Sequence, residues 1–146
     1  MFLILKNVFD HFNQTVTSFF SSGGFRNNFT FNFTLMDETI FKQFADIDVK
    51  EIAPGFFSKL IHTASNTINF IEVKAGCSVP RHRHIHEQCS FAIEGKFEMT
   101  VNDVPQILDP GLFAIIPSNA WHSGIAITDC KLIDIFNPVR EDYRAL

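Results

Sequence analysis

From Gly55 onward the chain is written in short apolar bursts: FFSKLIHTA, INFIEVKAG, CSFAIEGKFEMTVND, GLFAIIPS, GIAITDC and KLIDIFN. Each is rich in β-branched or aromatic residues and bounded by Gly, Pro, Asn or Asp, the signature of strands separated by turns. One segment alone has a convincing helical period, DETIFKQFADI from Asp37 to Ile47, with Asp37 placed to cap it and Ile40, Phe41 and Phe44 on one face. The pattern predicts an all-β barrel or sandwich with a short N-terminal helix. A length of 146 residues gives room for one sizeable core, hence one domain.

Composition changes near Met36. Residues 1–35 hold nine of the eighteen phenylalanines, no proline and a single acid, Asp10. The alternation FTFNFTL (Phe29 to Leu35) reads as a strand and the preceding SFFSSGGFRNN as a loop. We therefore read residues 1–35 as an N-terminal extension and 36–146 as the functional domain. Three origins fit the extension: a strand that pairs at a dimer interface, a disordered tail, or an upstream start codon. The last two are favoured, because half-exposed phenylalanines without partners make a poor surface.

Net charge is −4 with no run of Lys or Arg, so nucleic acid and an anionic membrane surface are not expected partners. A small ligand is. The three cysteines, Cys77, Cys89 and Cys130, are odd in number and follow no C-x-x-C spacing, which points to core thiols in a reducing compartment. The opening MFLILK is too short for a membrane span and lacks a cleavage pattern, so a cytoplasmic protein is expected and the N-x-T triplets at Asn13, Asn28 and Asn32 are expected to stay unmodified.

Half of the six histidines fall within PRHRHIHEQ, Pro80 to Gln88. On a strand His82 and His84 point to one side, with Arg81, Arg83 and Ile85 opposite, so two imidazoles can converge on one ion. Gln88 shares their parity, yet six residues of extended chain would place it roughly 20 Å from His82. The chain must bend between His84 and Gln88 if both are ligands, and the bend frees His86 from parity.

GCSVPRHRHIHEQCSFAIEG resembles the first cupin motif, with Gly76, His82, His84, Gln88 and Gly95 in register. GLFAIIPSNAWHSGIA resembles the second, with Gly111, Pro117 and His122 in register, but Asn119 stands where glycine is usual and Ala126 where asparagine often is. The resemblance covers about Gly55 to Tyr143. It implies a cupin jelly roll, a double-stranded β-helix barrel, with a divalent ion held by His82, His84, Gln88 and His122. Three neutral imidazoles and an amide would leave that ion its full charge, which favours a Lewis acid attracting an anion over dioxygen chemistry. Zn, Ni, Fe, Mn and Co all tolerate such ligands.

In KLIDIFNPVREDY an aspartate interrupts an apolar strand. Alternation groups Leu132, Asp134 and Phe136 on one face; if that face lines the barrel, burial raises the carboxyl pKa toward the range of a proton shuttle. Arg140, just beyond Pro138, either swings over the barrel mouth to meet a carboxylate or pairs at the surface with Glu141 or Asp142. The combination H-x-H-x-H-E-Q with D-x-F-x-P-x-R-E-D-Y is similar to the small cupins of the KdgF type, which open the ring of 4,5-unsaturated uronates released by pectate or alginate lyases. That resemblance implies catalytic roles for Asp134, Phe136 and Arg140, a small anionic sugar as substrate, and a homodimer. Trp121 is either a further stacking wall or a core residue. Two other functions stay open: a different cupin isomerase or dioxygenase using the same ion, and a non-catalytic sugar or metabolite sensor.

Overall fold

The structure, a computed structural model, describes residues 40–146. The extension over 1–35, its Phe29 to Leu35 alternation and the Asp37 cap lie outside the described residues. Among those described are ten strands: β1 (Val49–Ala53), β2 (Phe56–His62), β3 (Thr67–Val73), β4 (Ser78–His82), β5 (Glu87–Glu94), β6 (Phe97–Val101), β7 (Val104–Leu108), β8 (Phe113–Ile116), β9 (His122–Ala126) and β10 (Cys130–Asn137). They form a six-stranded sheet ordered β1-β2-β3-β10-β5-β8 and a four-stranded sheet ordered β4-β9-β6-β7. All the pairings are antiparallel. This is the all-β architecture that the strand pattern predicts, arranged as the jelly roll that the cupin resemblance implies.

The core lies between the sheets. Phe56, Ile71, Val73 and Leu132 come from the larger sheet and Phe97, Met99 and Ala126 from the smaller, in one cluster that also holds Ile116 and Leu108. Strict alternation in β10 buries Leu132, Asp134 and Phe136 and turns Ile133 and Ile135 outward. Because β10 is paired on both sides, its register is fixed by two ladders. Asp134 lies opposite Asn69 of β3 and Ser90 of β5; Phe136 lies opposite Thr67 and Gln88. A slip of one residue would send Asp134 out of the barrel and an isoleucine into it, so the buried face itself enforces the register.

Turn chemistry fits the joints. Asn102 and Asp103 both take positive φ, 47° and 67°, and make the two-residue hairpin between β6 and β7. Asn119, in place of the usual motif glycine, adopts φ 62°, a left-handed conformation that asparagine tolerates better than most residues, so that departure leaves the turn before His122 intact.

The helix expected over Asp37 to Ile47 is a correction. Its described part holds only a three-residue 3-10 turn, Phe44–Asp46, before β1 begins. Ile40 and Phe41 stay exposed and no buried face forms; Phe44 instead packs edge-on against Phe70, 4.8 Å between centroids, from outside the sheet. Without a surface to cover, so short an amphipathic stretch has little reason to stay helical. A four-residue helix, α1 (Glu141–Arg144), follows β10 instead.

Ile116 has 0% exposure in the core beside Gln88. Ile116→Ala is expected to cost about 2–5 kcal/mol, the usual range for such a truncation, read as a lower urea midpoint at unchanged slope.

Candidate metal centre and active site

Two strands and a bend bring the histidines together. His82 ends β4 and His122 opens β9, directly opposite it across the ladder. His84 sits in the connection between β4 and β5, where the chain bends as the position of Gln88 requires. The potential ligand atoms of His82, His84 and His122 all lie within 4.8 Å of one another.

Each ring is aimed by its other nitrogen. His82 Nδ1 lies 2.8 Å from the Pro80 carbonyl, His84 Nδ1 3.1 Å from that of His86, and His122 Nδ1 2.9 Å from that of Ala120. A carbonyl only accepts, so each Nδ1 carries the ring proton and, in a neutral ring, each Nε2 keeps its lone pair. Burial and the nearby Arg140 charge push His84 down to about 4. Burial, aided by His82 and Arg140, also lowers His122. Both rings are therefore neutral at pH 7.

Gln88, buried on β5, completes the group. Its Nε2 donates to Ser90 Oγ at 2.8 Å, and Ser90 Oγ donates in turn to Asp134 Oδ1 at 2.6 Å. Since the serine spends its only proton on the carboxylate, it must accept from the amide nitrogen, which fixes the amide orientation and leaves Oε1 facing His84 Nε2 at 3.2 Å. Two lone pairs at that separation repel each other. The His122 Nε2, buried and without a hydrogen-bond partner, adds a third inward donor in search of a cation. Three imidazoles and one amide oxygen, each held by a hydrogen bond behind it, fit a divalent transition ion.

Beside Gln88, the neighbouring strand β10 and the segment after it carry the C-terminal residues. A small cavity of about 70 Å³ is lined by His82, His84, Gln88, His122, Asp134, Phe136, Arg140 and Tyr143 among others. Asp134 is 9% exposed, and burial pushes its carboxyl up to about 6 against the stabilising bonds from Ser90 and Gln88. Phe136 stands edge-on to His84 at 5.6 Å. Arg140 is buried at the cavity wall and takes the pairing with Asp142 that is one of its two expected descriptions, Nε to Oδ1 at 2.9 Å and Nη2 to Oδ2 at 2.6 Å.

Two aromatic or imidazole side chains fall elsewhere. His86 is buried behind the trio and is not among its members. Trp121 is neither wall nor core: alternation sends His122 inward and Trp121 outward, where the Arg81 and Arg83 guanidiniums lie 4.4 and 4.8 Å from its ring. The three cysteines are free and none lines this cavity. Sequence reasoning missed Ser90 and Tyr143. Ser90 had a signal, its shared parity with Gln88, but its link to Asp134 appears only once β5 and β10 are known to pair.

Residues 69–136 match the family described as the cupin domain. The chain is 28% identical over 98 residues to the pectin degradation protein KdgF of Dickeya dadantii (strain 3937), covering 64% of this chain and 88% of that one. Among solved structures, KdgF from Halomonas sp. superposes with a TM-score of 0.63 at 27% identity, covering 66% of this chain and 90% of that chain. An RmlC-like cupin from Shewanella frigidimarina NCIMB 400 reaches 0.67 at 27% identity over 70% and 94%. Oxalate decarboxylase of Bacillus subtilis, at 16% identity, 66% of this chain and 29% of that one, shares the fold with a TM-score of 0.60. Motif, strand order and side-chain geometry agree with these likenesses: over residues 69–136 the chain is similar to the cupin domain, and over about two thirds of its length to the KdgF proteins.

Proposed function

We propose that this protein is an isomerase-like enzyme that opens the ring of 4,5-unsaturated uronates to linear keto-uronates. The observation that carries the reading is the cavity itself, in which a ligand set for a divalent ion faces a buried carboxyl and a guanidinium. The likeness to the KdgF proteins supports it.

The substrate is a cyclic enol ether bearing a carboxylate. Its isomerisation balances without a co-reactant: the ring oxygen parts from C1, the C1 hydroxyl becomes an aldehyde by losing a proton, and C4 gains one as C5 becomes a ketone. Arg140 binds the carboxylate and fixes the ring orientation, an entropic advantage over free solution. Asp134 moves the proton to C4, a task suited to a carboxyl with a pKa near neutrality. Ser90 holds one of its oxygens, leaving the other for the substrate. Phe136 packs on the sugar and excludes water. His82, His84, Gln88 and His122 would hold a divalent ion whose charge stabilises negative oxygen as it develops. The protein works as a homodimer in the cytoplasm.

Purified protein given lyase-made unsaturated uronate and divalent metal is expected to bleach the alkene absorbance faster than the spontaneous reaction. Asp134→Ala should reduce this by 10²-fold or more, the order expected for a general acid–base group, with metal content unchanged. His122→Ala should lose the metal as well. Binding without turnover in the wild type would instead indicate a sensor.

The same burial that suits Asp134 to its task costs stability. With a folded pKa of about 6 against an ordinary 3.8, the folded state holds the proton more tightly than the unfolded one, so stability falls as pH rises from about 4 to about 6 and stays lower above. The difference amounts to about 3 kcal/mol. In chelator-treated protein, Asp134→Asn is expected to be more stable than wild type at pH 8, by denaturant titration, with the advantage fading toward pH 4.

A further inference from the structure

Tyr143 lines the same cavity as Asp134 and Arg140 and has no part in the chemistry so far. Its position is tied to Arg140 through the backbone. Arg140 N donates to the buried Thr67 Oγ1 at 2.9 Å, anchoring the chain to β3, and Tyr143 N donates to the Arg140 carbonyl at 3.1 Å. The side chains are tied as well. The guanidinium carbon lies 4.0 Å from the Tyr143 ring centroid and 5.0 Å from that of Phe136, and the two rings meet edge to face at 5.9 Å.

Asp142 decides which donors of Arg140 are free. It takes Nε and one Nη2 hydrogen side-on, so three of the five guanidinium N–H groups remain, all on the Nη1/Nη2 end. A guanidinium packed against two aromatic rings and clamped along one edge is restrained from turning to follow a ligand. The ligand must come to it, and a carboxylate that does so end-on keeps lone pairs for a second donor. Burial raises the Tyr143 pKa further above the ordinary phenol value, so that donor is a neutral O–H at all physiological pH.

We propose that the Tyr143 hydroxyl and the free Nη edge of Arg140 form one carboxylate-recognition pair, held in register by Asp142. The pair rests on the uronate reading only for the sugar that carries the carboxylate.

Calorimetry on metal-replete protein tests it with D-galacturonate as the probe and D-galactose as the uncharged control. Tyr143→Phe keeps the ring against Arg140 and removes only the hydroxyl. It is expected to weaken galacturonate about tenfold, the loss of one hydrogen bond to a charged group, with galactose affinity, metal content and melting temperature unchanged. In turnover the same variant should raise KM more than it lowers kcat. Unchanged galacturonate affinity in the variant, an equal loss for galactose, or no galacturonate binding by the wild type overturns the pair. A wild type that binds galacturonate through Tyr143 yet leaves the unsaturated uronate intact sinks the ring-opening reading and leaves the pair standing.

Discussion

The double pairing of β10 is the constraint on which the site depends. A central strand bonded to β3 on one side and β5 on the other cannot shift without breaking two ladders. Its register puts Asp134 beside Ser90 and Phe136 beside Gln88, so these side chains are spaced by backbone geometry. Hydrophobic burial on either side of Asp134, at Leu132 and Phe136, outweighs the cost of enclosing a carboxyl. A polar group survives in that row because its neighbours hold it in place.

Hydrogen bonding then converts position into chemistry. The relay from Gln88 through Ser90 to Asp134 leaves no freedom in the direction of its protons, and the carbonyls behind the three histidines leave none in their tautomers. The result is a cavity that gathers inward unshared electron pairs and the Arg140 guanidinium donors in one lining. Such a lining is costly in an empty protein, since inward lone pairs repel and buried polar atoms go unpaired. It is the arrangement expected where an ion and an anionic ligand are to be bound side by side.

The sequence made the centre of the fold legible and its edges hard to read. All six bursts from Gly55 onward contain observed strands, and the resemblance to the two cupin motifs already implied that His82, His84, Gln88 and His122 converge. The strands missed as bursts are β1, β4 and β7, each at the edge of a sheet. VKEIA, SVPRH and VPQIL are short, charged or interrupted by Pro80 or Pro105, as edge strands are when they avoid pairing with other chains. The misread helix has the opposite cause: a good 3.6-residue period at Ile40, Phe41 and Phe44 met no surface to bury. Contacts between strands distant in sequence, Ser90 with Asp134 or Thr67 with Arg140, are written nowhere in local pattern.

The proposed ligands are also shared out between the two layers of the jelly roll. His82 and His122 belong to the four-stranded sheet, Gln88 to the six-stranded one, and His84 to the connection between them. An ion gripped by all four would act as a rivet through the barrel wall. Prying the layers apart would then mean tearing coordination bonds as well as exposing oil to water, so resistance to heat would track the supply of free ion and the affinity for it.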